Sequence, residues 1–157
     1  MKEMKVSKIN NGTVIDHIPP GRALEVLKLL GITGKEGKMI LVAMNVTSNR
    51  MKGGRKDIVK IEGLYLSEDQ IRRIALIAPT ATINIIKNRE VVEKKGVEIP
   101  DEVSGILKCS NPTCITRNEK VRVASKFRVI NKNPLRLQCV YCESIIEEEE
   151  ISKYMVT

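Results

Sequence analysis

Residues 67–86 read SEDQIRRIALIAPTATINII, and this stretch decides the fold because a helix, a turn and a strand follow one another within it. Ser67 and Gln70 have the spacing of a capping box, in which the two residues satisfy each other's unpaired backbone amides. Apolar residues recur at helical spacing from Ile71, and Pro79 ends the helix. The run at 82–86 then predicts a strand.

The same alternation of helix and strand precedes this stretch. Residues 12–18 (GTVIDHI) predict a strand, and apolar spacing from Ala23 predicts a helix that ends at Gly31. Two further strands are predicted at 38–46 and 58–66, and a last one at 90–92 pairs with 82–86 through a turn at Asn88. The order β-α-β-β-α-β with an extra strand predicts a ferredoxin-like antiparallel sheet with both helices on one face.

All four cysteines follow residue 108, in the pattern Cys109-x4-Cys114, 24 residues, Cys139-x2-Cys142. Two close pairs separated by a β-rich insert are typical of a tetrahedral zinc ion bound by four thiolates. Two disulfides or four unpaired thiols are the alternatives, and an intracellular setting disfavours the disulfides. Four protein ligands leave no position for water or substrate, so a zinc ion here is expected to be structural.

The position of the cysteines also predicts two domains, residues 1–100 and residues 101–157, joined by a connector at 96–102. Alternating apolar residues at Val121, Val123, Phe127 and Val129 predict a small β unit that needs its metal in order to fold. The predicted class is α+β, with an N-terminal ferredoxin-like sheet and a small C-terminal all-β zinc-ribbon-like domain.

Charge and composition limit the partners. The net charge is +8, and residues 1–100 carry 18 Lys and Arg against 11 Asp and Glu. A nucleic acid or a nucleotide phosphate is therefore a natural partner, although a solvated basic surface would look the same. The chain starts without a secretory pattern, and its longest apolar run, 39–44, is too short to cross a bilayer. We expect a soluble cytoplasmic protein with no membrane partner.

Phosphate-binding residues are harder to recognise, because neither GxxxxGK[ST] nor GxGxxG occurs in the chain. Isolated polar residues remain on the predicted strands: Asp16 with His17, Lys60 and Lys94. A lysine on a strand can meet a triphosphate as a point charge. Strand lysines more commonly face solvent, however, and a lone histidine is more commonly a hydrogen-bonded structural residue.

Several short strings occur in a fixed order along almost the whole chain. They are GTVIDHIP at 12–19, GRKD at 54–57, KIE at 60–62, LSEDQ at 66–70, APTAT at 78–82, EVV at 90–92 and the four spaced cysteines. Together they resemble the regulatory chain of aspartate carbamoyltransferase. The resemblance implies a non-catalytic regulatory subunit of pyrimidine biosynthesis. It also implies an allosteric domain that binds CTP, ATP and UTP, and a zinc domain that docks on the catalytic chain. Regulatory dimers would bridge two catalytic trimers.

The resemblance also implies a set of nucleotide-binding residues. Lys60 and Lys94 would contact phosphate and ribose, Asp16 the ribose hydroxyls, and His17 would lie near the phosphates. Main-chain groups around four residues would read the base, and two more residues belong to the site; these six are Ile9, Ile86, Arg89, Val91, Ser7 and Asn84. Ser7 and Arg89 replace a glutamate and a tyrosine of better-known members, so the resemblance does not fix the nucleotide preference.

Two other functions compete with this interpretation. A zinc-ribbon nucleic-acid-binding protein is favoured by residues 108–136, which hold eight basic residues and one acid. The scarcity of aromatic residues for base stacking and the acidic block at 147–150 count against it. A free-standing enzyme is disfavoured because the chain has one histidine and no serine or carboxylate pair at the spacing of a nucleophile and its base.

Overall fold

The computed structural model describes residues 9–156, so Ser7 lies outside the described residues. The N-terminal unit comprises β1 (Gly12–Ile18), α1 (Ala23–Leu29), β2 (Ile40–Thr47), β3 (Arg55–Glu62), α2 (Glu68–Ile77), β4 (Thr82–Lys87) and β5 (Glu90–Gly96). The C-terminal unit comprises β6 (Glu102–Ser104), β7 (Lys126–Lys132), β8 (Leu135–Cys139), β9 (Ile145–Glu147) and α3 (Ile151–Tyr154). Within these described residues, no helix has the length and apolar composition that a membrane span requires.

The N-terminal sheet has the order β2-β3-β1-β4-β5, and every neighbouring pair is antiparallel. This order confirms the predicted ferredoxin-like arrangement. Because side chains alternate across a strand, one face of the sheet carries Ile15, Val59 and Ile83, which form a core with α1 and α2. Among the described residues no helix covers the other face, which carries Lys60, Asn84 and Lys94.

Local signals in the sequence place most of these elements correctly. The capping box of Ser67 and Gln70 is present, and the first strand has the predicted bounds. The third strand was predicted at 58–66 but runs from Arg55 to Glu62. It ends there because Gly63 takes a φ of 75°, which breaks the extended backbone.

The C-terminal unit is a four-stranded antiparallel sheet in the order β6-β7-β8-β9. Its core contains Phe127, Leu135 and Leu137, in agreement with the small β unit expected from the sequence. The prediction that the strand pattern begins at Val121 is wrong. The backbone turns at Asn118, which accepts hydrogen bonds from the following amides, and Val121 lies in a loop with 45% of its surface exposed.

The two units contact each other through α1, α2 and the C-terminal residues. Leu76 of α2 is buried in the core of the C-terminal unit, and Met155 packs against both cores. The Arg73 guanidinium donates to the Val156 carbonyl at 2.8 Å, and the Ser152 hydroxyl donates to Glu25 at 3.2 Å.

Asp57 is a fully buried carboxylate that ties β3 to two other segments. Its Oδ2 accepts hydrogen bonds from the amides of Gly21 (2.8 Å) and Ala23 (3.0 Å) at the start of α1, and its Oδ1 accepts from the Asn45 amide at 2.8 Å. Both strands beside β3 change register near this position, at 15–18 in β1 and 43–46 in β2. The carboxylate therefore satisfies amides at or near the places where regular pairing is interrupted.

We expect Asp57→Asn to lower the free energy of unfolding by about 2 kcal/mol, because an amide nitrogen cannot accept the hydrogen bonds that the carboxylate accepts. Denaturant unfolding of the metal-loaded chain would measure the change. Asp69→Asn is the matched control, since Asp69 forms an exposed pair with Arg73 and should change stability by less than about 0.5 kcal/mol. Equal stabilities of the two variants would contradict the prediction.

Candidate functional site

The four cysteine sulfurs form one cluster, with every Sγ within 4.8 Å of the others. Cys109 and Cys142 are 3.5 Å apart, and Cys114 and Cys139 are 3.7 Å apart. A disulfide would bring two sulfurs to about 2 Å. A zinc ion with Zn–S bonds of about 2.3 Å separates tetrahedral ligands by about 3.8 Å. The geometry thus confirms the predicted four-cysteine metal site, and four thiolates are the donor set of structural zinc.

Turns before β7 and after β8 bring these sulfurs together. Asn111 accepts hydrogen bonds from the amides of Thr113 and Cys114, which closes the first turn. In the second turn, the Glu143 amide donates to the Cys139 carbonyl, and the Cys139 amide donates to Ser144. Backbone hydrogen bonds of this kind orient the sulfurs in the folded unit, as the outer partners of metal sites do elsewhere.

The environment of the sulfurs favours a bound cation. Burial raises the pKa of the Cys109 thiol to about 12 and raises the pKa of Cys139 as well. Burial also acts to raise the pKa of Cys142, but hydrogen bonds from Ser144 outweigh it and lower this pKa to about 6. Four thiolates can therefore coexist here only when a metal compensates their charge, and binding it releases protons.

A second site lies on the helix-free face of the N-terminal sheet, where a pocket of about 350 Å³ opens. Val14 on β1 pairs with Lys60 on β3 and with Asn84 on β4, and Asn84 pairs with Lys94 on β5. These four residues form one row across the sheet, with a lysine near each end. The row gives the middle of the pocket a positive charge on a rigid frame.

The two ends of the pocket differ in polarity. At one end, Asp16 lies with its Oδ1 2.9 Å from the Lys56 ammonium group, and the same oxygen accepts a hydrogen bond from the His17 amide at 2.6 Å. At the other end, Ile9, Ile86 and Val91 supply apolar surface. A ligand with a flat apolar ring at one end and an anionic group that reaches the lysines would match this arrangement.

Eight of the ten nucleotide residues predicted from the sequence line this pocket. They are Ile9, Asp16, Lys60, Asn84, Ile86, Arg89, Val91 and Lys94. Val14 and Ile58 also line it and were not singled out, although their strand spacing from Asp16 and Lys60 would have indicated the same face. Ser7 lies outside the described residues. The roles of all these residues remain predictions.

His17 is the predicted residue that the structure keeps apart from the pocket lining. Its ring is buried, and Nδ1 lies 2.8 Å from the Thr82 hydroxyl oxygen. The backbone turns here, with a φ of 56°, at the register shift of β1. Burial lowers the pKa of His17, Asp16 opposes this, and the cations Lys56, Arg50 and Lys94 reinforce it. The ring therefore favours its neutral form beside a cationic region.

Three of the eight basic residues at 108–136 have partners within the chain. Lys126 and Arg136 pair with Glu102 and Glu147, and the Arg117 guanidinium donates to the Cys109 carbonyl. Phe127 is fully buried and cannot stack on a base.

Comparisons with known proteins agree along the whole chain. The family model described as "Aspartate carbamoyltransferase regulatory chain, allosteric domain" matches residues 4–98, and the one described as "Aspartate carbamoyltransferase regulatory chain, metal binding domain" matches residues 101–152. The regulatory chain of Ignicoccus hospitalis is 65% identical over 155 residues, covering 99% of this chain and 98% of that protein. The one from Thermococcus sibiricus is 56% identical over 156 residues, covering 99% and 100%. The first matched range contains the whole pocket, and the second contains all four cysteines.

Proposed function

The chain belongs to the regulatory chains of aspartate carbamoyltransferase, which are non-catalytic, and from this premise we propose that it binds nucleoside triphosphates and modulates the catalytic trimers. Residues 1–100 act as the nucleotide-binding allosteric domain, and residues 101–157 act as the zinc domain that docks on the catalytic chain in the cytoplasm. The row of Lys60, Val14, Asn84 and Lys94 across the open sheet face is the observation that carries this proposal.

Each part of the nucleotide has a counterpart in the pocket. Lys60 and Lys94 contact phosphate and ribose, and Asp16 accepts hydrogen bonds from the ribose hydroxyls. Neutral His17 lies behind Asp16, close to the phosphates. Main-chain groups around Ile9, Ile86, Arg89 and Val91 read the base, and Asn84 and Ser7 complete the proposed site. The apolar residues and the two lysines that line the pocket support binding of a ligand that carries both a base and a triphosphate.

Regulation requires that a nucleotide bind two states of the holoenzyme with unequal affinity. A difference of about 1–3 kcal/mol changes the ratio of the states roughly 5–150-fold. The resemblance implies that CTP inhibits and ATP activates, and that UTP reinforces CTP as in some members of the family. Arg89 lines the pocket, and its replacement, like that at Ser7, bears on which nucleotide is preferred.

Exposed apolar residues on both units support the proposed partners. Ile115, Tyr141 and Ile145 are exposed near the metal site and are suited to docking on the catalytic chain. Leu24 and Val42 are exposed at the β2 side of the N-terminal unit and line an apolar groove, where a second regulatory chain would pack. Together these contacts produce a regulatory dimer that bridges two catalytic trimers.

The direct test measures carbamoyl-aspartate formation by the catalytic trimer from the same source. The assay is run with and without the zinc-loaded chain while CTP and ATP are titrated at several aspartate concentrations. We expect the aspartate response to depend on the nucleotides only when the chain is present. If the trimer neither binds the chain nor changes its response, the proposal fails, and nucleic-acid binding with a steep dependence on salt becomes the better explanation.

A further inference from the structure

The backbone that enters the pocket is held by hydrogen bonds from two sides. We call residues 9–11 the lead-in segment, because they precede β1 and place Ile9 at the apolar end of the pocket. Ile9 is only 2% exposed. Since the lead-in segment precedes the strand, its position depends on groups that lie outside the sheet ladder.

Glu62, at the end of β3, holds the lead-in segment from one side. Its Oε2 accepts a hydrogen bond from the Asn10 amide at 3.0 Å, and its Oε1 accepts from the Asn11 amide at 3.3 Å. The neighbouring Gly63 amide donates to the Asn11 carbonyl at 2.8 Å. One carboxylate thus spans two successive amides, a geometry that an ionised carboxylate suits well because both its oxygens accept.

The turn between β4 and β5 holds the same segment from the other side. The Arg89 amide donates to the Asn10 carbonyl at 2.8 Å, and the Arg89 Nε donates to the Asn10 side chain at 2.7 Å. The Asn88 amide donates to the Asn11 side chain at 3.1 Å. Asn88 and Arg89 both have positive φ, 52° and 66°, so the tight turn presents both amides to the lead-in segment.

Gly12 fixes the path of the chain immediately after the lead-in segment. A Cβ at this position would lie 2.1 Å from the Ile61 carbonyl oxygen, and the φ of 151° is one that other residues rarely adopt. The backbones of β1 and β3 therefore approach closely at this point. On the N-terminal side of Gly12, the Glu62 carboxylate restrains the chain through the Asn10 and Asn11 amides.

We propose that Glu62 is a positioning residue for recognition of the nucleotide base. It does not line the pocket, and it acts by holding the Asn10 and Asn11 amides so that Ile9 and its main-chain groups face the base. The guanidinium of Arg89 serves the same purpose through Asn10. This inference rests on the proposed nucleotide-binding function. It adds the contacts that hold the base end of the pocket in position.

The direction in which nucleotide affinity changes when Glu62 loses its charge distinguishes a positioning role from a simple electrostatic effect. Removing a negative charge near a pocket for a triphosphate would by itself strengthen binding slightly. Loss of the positioning carboxylate should instead weaken it, by about tenfold, which is the scale of one charged hydrogen bond.

The test uses the full zinc-loaded chain and isothermal titration calorimetry with CTP, ATP and inorganic tripolyphosphate. We expect Glu62→Gln to bind both nucleotides about tenfold more weakly and to bind tripolyphosphate as the unmodified chain does. Glu62→Asp keeps the charge but shortens the reach by one methylene, and it should also lose nucleotide affinity. Glu90→Gln, which removes an exposed carboxylate at the start of β5, is the matched control and should not weaken binding.

Each alternative result has a distinct meaning. Unchanged or tighter nucleotide binding by Glu62→Gln would overturn the positioning role while leaving the proposed function intact. Equal loss of nucleotide and tripolyphosphate affinity would overturn it too, because general damage to the fold would then explain the result. Absence of nucleotide binding by the unmodified chain would refute the proposed function and this inference with it.

Discussion

Replacing Cys139 with serine is expected to release the metal and unfold β6 to β9 while β1 to β5 stay folded. Cys139 is fully buried at the end of β8, and its sulfur lies 3.7 Å from that of Cys114. A serine hydroxyl is a poor zinc ligand. Structural zinc sites contribute about 10–16 kcal/mol to small domains, and a β unit of this size has too little core to fold without such a contribution.

Metal analysis together with hydrogen exchange measured by mass spectrometry would check this expectation. Zinc content should fall from one ion per chain, and amides of β7 and β8 should lose protection, whereas amides of β1 and β3 should keep it. Thr116→Ala is the control, because its hydroxyl lies 3.2 Å from the Cys114 sulfur but Thr116 is not a ligand. Chelation of zinc from the holoenzyme should reproduce the effect and release the catalytic trimer in active, unregulated form.

A Cys139→Ser chain that keeps one zinc ion and protected β7 and β8 amides would contradict this account. Assembly that survives verified loss of zinc would count against it as well, since the docking surface lies on the C-terminal unit in the proposed function.

Removing both pocket lysines should nearly abolish nucleotide binding. The double variant Lys60→Ala, Lys94→Ala takes away the two cations that stand in one row across the sheet. We expect CTP and ATP to bind about 100-fold more weakly, because each charged contact to phosphate is worth roughly tenfold. The affinity for tripolyphosphate should fall to the same extent, whereas Glu62→Gln is expected to leave it unchanged. Calorimetry at two salt concentrations should also show a weaker dependence on salt.

Lys95 provides a matched control for this experiment. It is adjacent to Lys94 on β5, but its side chain points to the other face of the sheet and lies near Glu68 of α2 and Glu93. Lys95→Ala should change nucleotide affinity by less than about twofold. If Lys95→Ala instead weakens binding about tenfold, which is the loss expected for one pocket lysine, then the net charge of the chain controls affinity and the row of residues does not.

The sequence predicted those features that depend on residues close together in the chain. The capping box needs only Ser67 and Gln70, the strand pattern repeats every second residue, and each cysteine pair lies within one turn. Such signals can be recognised in the sequence without knowledge of the fold. They were enough to predict the ferredoxin-like sheet and the metal site. Most of the pocket residues were instead implied by the resemblance to a known family, and only Asp16, Lys60 and Lys94 of the pocket lining stood out as polar strand residues without it.

The parts that escaped prediction depend on partners far apart in the chain. Asp57 accepts from amides 34 and 36 residues away, Glu62 from amides 51 and 52 residues away, and Arg89 contacts Asn10 across 79 residues. Each of these partners is a backbone or amide group freed by a turn or a register shift. Sequence patterns do not reveal such groups, because the topology of the sheet decides which side chain meets them.

Along β1, β3 and β4, every second side chain packs against the helices and the ones between them face the pocket. Ile15, Ile61 and Ile83 are constrained by a crowded interior, and their neighbours Val14, Lys60 and Asn84 are not. Mutations in these neighbours therefore cost little packing energy. Selection can therefore change the response to different nucleotides by replacing one pocket-facing residue at a time, while the helix-packed core stays unchanged. A protein engineer can do the same.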